Sequence, residues 1–233
     1  MPSAVPPGLE LLQHLKQVAG EASPAARGLL SMATSGLIGR GWLPSLDALL
    51  ASTAHTLDIP ESSLRDTLPW LQERGLLELS DQRILSVGCL FSTKPTPLTL
   101  TLADRHEVYL LGPLAALTAP VALQLTGEIR SHCQIFPQIR LRLACDGEGV
   151  HTRDPQTLSL FLPAWQPGEA APSIMARGVL VRDEEALETW QAQHGDPQGM
   201  PVTGLLFAMA ASDLGVQLGH AMAGLFTELP DFD

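Results

Sequence analysis

The sequence predicts an α+β fold: an N-terminal helical, winged-helix-like domain, then a mostly antiparallel sheet domain with flanking helices. Three observations predict it. Residues 9–75 carry capped segments with apolar residues at helical spacing, residues 76–87 read as two short strands, and from residue 98 alternating segments follow one another across short connections.

The elements are justified in order. Residues 1–8 hold three prolines and no periodic apolar pattern, and read as a loose lead. Leu11, Leu12, Leu15 and Val18 share one face of a first helix. Ser23-Pro24 is an N-cap followed by proline at the first helical position, starting a second helix through about Ala33. Ser45 caps a third helix carrying Leu46, Leu49, Leu50 and Ala54. Residues 58–74 supply a fourth, closed by Gly75 and kinked or delayed by Pro69. Residues 76–79 and 84–87 then form a hairpin about Asp81-Gln82.

Helices followed by a hairpin invite a DNA-binding reading. Between residues 45 and 75, however, Asp47, Asp58, Glu61, Asp66 and Glu73 face only Arg65 and Arg74. Phosphate contacts have no source there, so a scaffold or homodimer role for this domain, residues 1–91, is preferred. A polar, proline-containing link at 92–97 leads to the second domain, residues 98–233.

In the second domain residues 98–102 alternate with period two, residues 104–106 turn, and residues 108–111 return as a strand. Further strands are expected at 123–129, at 139–145 with Arg140 and Arg142 outward, at 158–162 and at 173–181. A helix over 183–193 opens on an acidic first turn, favourable to its dipole. Residues 202–207 read as a last strand. Residues 208–226 read as a terminal helix in which Gly215 and Gly219 admit close packing, and residues 228–233 as a frayed tail.

Composition bounds the function. With 233 residues, 45% of them hydrophobic, the chain has enough apolar material for a sizeable core. Its 25 carboxylates against 14 Lys and Arg give a net charge of -11, which argues against nucleic acid as a partner. Cys89, Cys133 and Cys145 are odd in number and form no Cys-x-x-Cys unit, which suits a reducing, cytoplasmic setting. The N-terminus shows no secretory signal. Residues 108–127 are long and uncharged, but Gly112, Pro113 and Pro120 interrupt them, so a buried segment is expected and no membrane partner.

That same stretch carries a family resemblance. Tyr109, Leu117, and Ser131-His132-Cys133 stand where the bacterial organomercurial (alkylmercury) lyases have Tyr-x-x-Cys-x-x-Asp-x-Leu followed by Ser-His-Cys. Ser173-Ile-Met-Ala176 resembles that family's second cysteine-bearing run, and Trp190 with His194 matches its Trp-x-x-x-His. The likeness covers roughly residues 25–226 and implies an alkylmercury-lyase-like fold. In that family two cysteine thiolates hold the mercury, because soft sulfur binds soft metal, and a carboxylate delivers the proton that cleaves the carbon–metal bond. Here the resemblance places Gly112, Met175 and Ala115 at those positions, and none of them can perform these steps. Cys133 matches a cysteine outside the reacting set and reads as a buried thiol.

The implied ligand pocket comprises Tyr109, Gly112, Ala115, Ser173, Ile174, Met175, Ala176 and Arg177, with Arg177 on the Met175 face as an anion-orienting group. No complete catalytic set can be named from the sequence, and no cofactor or metal site is expected, since His132, His151, His194 and His220 lack metal-ligand spacing and no nucleophile elbow is present. The leading reading is a small-molecule binder, or an enzyme of altered chemistry, acting on a small, largely apolar, non-mercurial metabolite. The alternatives are a genuine lyase with a non-standard residue set, a ligand-sensing winged-helix regulator, and a structural module.

Overall fold

A computed structural model describes residues 9–102, 106–164, 169, 171–195, 197–209 and 213–226. The lead at 1–8, most of the turn at 104–106 and the tail at 228–233 lie outside the described residues.

Helix α1, Leu9–Glu21, buries Leu11, Leu12, Leu15 and Val18, none more than 6% exposed, and leans on the last helix of the chain. Helix α2, Pro24–Arg40, starts as expected, with the Ser23 hydroxyl accepting from Ala26 N at 3.1 Å. It outruns the expected end at Ala33 because Thr34, Gly36 and Leu37 continue its buried face. Gly41, at φ 74, closes it by donating to the Leu37 carbonyl at 2.8 Å. Helix α3, Leu46–Leu57, is capped by Ser45.

Helix α4, Glu61–Glu73, begins three residues later than expected, since Pro60 cannot extend it backwards. Pro69 lies inside it, where burial of Leu64 and Leu71 on either side outweighs one missing backbone hydrogen bond. Strands β1, Leu77–Ser80, and β2, Arg83–Val87, turn through Asp81 and Gln82, both with positive φ.

The main sheet has the order β1-β2-β3-β5-β4-β6-β7-β8, every pairing antiparallel. Its further members are β3, Phe91–Ser92; β4, Thr99–Leu102; β5, Glu107–Leu110; β6, Gly127–His132; β7, Arg140–Asp146; and β8, Gly149–Asp154. Through β3 the hairpin joins the strands that follow residue 98. Strand β8 escapes sequence reading because it is a polar edge strand with little apolar alternation.

Helix α5, Pro113–Leu123, crosses the covered face of this sheet. The expected break at Pro120 and the strand from 123 are corrected here: the helix passes through Pro120, and β6 begins only at Gly127. Residues 113–122 are all buried, so surrounding packing holds the helix although Pro120 cannot donate to Ala116.

A second sheet, β10-β9-β11, pairs β9, Ser159–Pro163, with β10, Val179–Val181, and β11, Gly199–Val202. Two expected strands are corrected with it. Residues 171–177 form helix α6, Ala171–Arg177, opened by proline at its second position, and only the residues after Gly178 extend. The strand expected at 202–207 lies at Gly199–Val202 instead, and helix α8, Gly204–Met209, follows.

Between them α7, Glu184–Gln193, starts where the Asp183 carboxylate accepts from Ala186 N at 2.9 Å. The last helix, α9, Gly215–Ala223, packs on α5, where a Cβ at Gly215 would stand 2.8 Å from the Leu117 carbonyl oxygen and one at Gly219 2.5 Å from Val121 Cβ. The two glycines thus let the helix backbones approach closely. Among the described residues no helix is long and apolar enough to cross a membrane.

Candidate functional site

Gly112 stands at the N-cap of α5 with φ 179 and ψ -171, an extended backbone that any residue adopts. Space, not conformation, selects glycine here. A Cβ would run into the Met175 carbonyl oxygen and stand 2.9 Å from Ala176 Cα. Residues 112 and 175, distant in the chain, meet where α5 packs on α6, and the space between them is filled by backbone. Ala115 and Met175 are both 0% exposed and Ile174 is 1% exposed.

The remaining residues of the sequence-derived set lie elsewhere. Ser173, Ala176 and Arg177 are exposed on the outer side of α6. The Ser173 hydroxyl donates to Glu169 at 2.9 Å, and the Arg177 guanidinium pairs with Glu169 at 2.6 Å and donates to the Ala164 carbonyl at 3.2 Å. Arg177 therefore does not share the face of Met175. On a helix, positions two apart diverge by about 200°, whereas the expected strand would have aligned them.

Tyr109, the chain's single tyrosine, lies on β5 opposite Ser92 and Thr99. It lines a different concavity of about 540 Å³, between the α2–α3 connection and the Asp81-Gln82 turn, whose wall includes Trp42, Leu43, Arg83 and Ile84. Trp42 is 56% exposed, with the Arg40 guanidinium 5.3 Å from its ring centroid. Sequence reasoning misses Trp42; the available signal is a tryptophan between Gly41 and Pro44, in a helix connection that has no other reason to carry one.

The three thiols are free and buried. Cys89 sits at φ 58 with its thiol donating to the Gly75 carbonyl at 3.2 Å, and burial pushes its pKa up to about 12. Cys145 approaches the Gly127 carbonyl at 3.5 Å and is pushed up to about 11, again mainly by burial. A thiol so held is protonated at neutral pH and a poor nucleophile or metal ligand. Cys133 follows β6, 0% exposed; Ser131 is buried beside it and His132 exposed, the alternation a strand imposes.

At the end of α7, His194 Nδ1 lies 2.8 Å from the Trp190 carbonyl and its ring stacks on Trp190 at 4.4 Å. Trp190 in turn rests on Phe161. These contacts finish a helix. Among the described residues no group of three or more His, Cys, Asp and Glu side chains is placed to hold a metal ion.

Comparison with known proteins bears on the family and the fold. The family profile for MerB, alkylmercury lyase, matches residues 91–213, more than half of the chain. A crystal structure of the mercury-bound form of MerB2 aligns with a TM-score of 0.65 over 92% of this chain and 99% of its own, at 17% identity, a likeness of fold. No curated protein sequence matches the chain.

Proposed function

The chain belongs to the alkylmercury lyase family, and from that premise we propose that it is a member without carbon–mercury chemistry which binds a small, largely apolar, non-mercurial molecule. The contact between Gly112 and the Met175 carbonyl carries this reading. Cleaving a carbon–mercury bond takes soft thiolates on the metal and a group to protonate the carbon. The positions assigned to those groups hold glycine, methionine and alanine, and no room is left at residue 112 for a side chain to enter. Cys89 and Cys145 offer no substitute, since both are held protonated, and Cys133 is fully buried and, among the described residues, has no second thiol placed beside it to complete a dithiol.

Binding has a more favourable setting in the concavity beside Tyr109. Its size falls in the range of small-molecule sites, about 300–1,000 Å³, and its wall joins Leu37, Trp42, Leu43, Ile84, Val108 and Tyr109 with a polar side formed by Ser45, Asp81, Gln82, Arg83, Ser92 and Thr93. A tryptophan more than half exposed in a chain with only four of them is otherwise unfavourable, and a ligand covering it supplies the missing burial.

Two measurements test the reading. Incubated with phenylmercury acetate and excess thiol, the protein is expected to release benzene no faster than thiol alone; sustained turnover refutes the loss of lyase chemistry. The fluorescent neutral methyl ester of dansylaminoundecanoic acid is expected to bind, and Trp42→Ala to weaken it. An ester that fails to bind, or binds Trp42→Ala equally well, removes the concavity from the proposal.

A further inference from the structure

Tyr109, which lines that concavity, also heads a row of cross-strand partners. Tyr109 pairs with Thr99 of β4, Thr99 with Arg130 of β6, and Arg130 with Arg142 of β7, so these four side chains form one row across the uncovered face of the sheet. Cross-strand partners project to the same side, and three strand spacings put the ends of this row about 14 Å apart. At the far end lies a second hollow of about 490 Å³, lined by Thr99, Glu107, Arg130, His132, Arg140 and Arg142. His132 faces Arg140 in register as Arg130 faces Arg142, giving a four-cornered basic frame with its corners about 7 Å apart along each strand.

The charges around this frame are unevenly spent. Arg130 is held by Glu128 and lies 3.8 Å from Glu107. Asp154 of β8 is the register partner of Arg142, yet among the described residues neither Arg140 nor Arg142 makes an ion pair. Two exposed guanidiniums that make no ion pair among the described residues, in a chain of net charge -11, line a hollow on the same sheet face as Tyr109. The surrounding negative charge opposes a long polyanion, whereas a single anionic group fits the frame.

We propose that the ligand is an amphipathic organic anion, an apolar body lying over Trp42 and Tyr109 and a carboxylate held by Arg140 and Arg142. This rests on the small-molecule reading above and adds the charge and orientation of the ligand. Guanidinium is suited to the task because its planar fork meets both oxygens of a carboxylate. His132 adds a ring N–H donor at the third corner.

The test compares dansylaminoundecanoic acid with its methyl ester, which share the apolar body and differ only in the charge. The acid is expected to bind about tenfold more tightly than the ester, the size of one charge-assisted contact at a partly hydrated site. The double variant Arg140→Gln/Arg142→Gln, altering two exposed side chains, is expected to abolish that difference and leave ester binding unchanged. Equal binding of acid and ester, or an acid that binds the double variant as tightly as the wild type, overturns the anion site while the small-molecule reading stands. If neither acid nor ester binds, the small-molecule reading itself fails and the anion site with it.

Discussion

Gly112→Ala tests the contact on which the proposed loss of lyase chemistry rests. The added methyl meets the Met175 carbonyl oxygen and Ala176 Cα, both backbone, so no side-chain rotation relieves it. The helix that carries them is itself packed against α5 and β9. Overpacking in such a setting costs about 1–3 kcal/mol, which the reduced freedom of the unfolded alanine chain offsets by about 0.4–1 kcal/mol. The net expectation is a loss of about 1–2 kcal/mol, and with a urea slope of roughly 2–3 kcal/mol per molar the unfolding midpoint falls by about 0.5 M.

Gly39→Ala is the control. Gly39 lies inside α2 with nothing within 4 Å of the place an added methyl would take, so alanine there is expected to raise stability by about 0.5–1 kcal/mol. Urea titrations followed by circular dichroism read both variants. A Gly112→Ala midpoint at or above the wild type, with Gly39→Ala behaving as expected, refutes the close contact. The same contact predicts that Gly112→Cys, combined with Ala115→Asp and Met175→Cys, will not create a mercury-binding dithiol in a natively packed protein.

Other expectations follow from the thiols and the charges. In native protein none of the three cysteines is expected to react with an aromatic disulfide reagent on a timescale of minutes, and all three after unfolding; prompt native labelling contradicts their burial. The pKa of Cys89 is raised on folding, so its contribution is full below the unfolded value near 9.0 and is lost as pH climbs from there towards 12. Stability should therefore drop above pH 9 by about 1.4 kcal/mol per unit from this group, and Cys89→Ser should flatten the decline; identical slopes would exclude Cys89 as its source. Duplex DNA is expected to bind no better than to a neutral control protein in a gel-shift assay at physiological salt. Arg65 is committed to Asp47 and Glu61 at 2.8 Å and Arg74 to Glu21 at 3.0 Å, and a sequence-specific footprint would show that they are released.

Local patterns in the chain determined much of this protein. Ser23, Ser45 and Asp183 mark helix starts because a capping side chain satisfies backbone N–H groups within three residues, whatever the rest of the fold does. The outward arginines of β7 follow from period two, and the strands run antiparallel because their connections are short. The absence of thiol and carboxylate at residues 112, 115 and 175 is likewise a fact of sequence.

Tertiary structure alone decided the rest. Pro120 stays inside α5 because burial on all sides sustains a helix that the local rule would break, and the run at 171–181 splits into helix and strand by its packing, its apolar residues suiting either. The close approach of Gly112 to Met175, and the row that places Tyr109 on the same sheet face as Arg142, join residues far apart in the chain. No local pattern encodes such meetings, because they depend on register and helix packing that only the assembled core enforces.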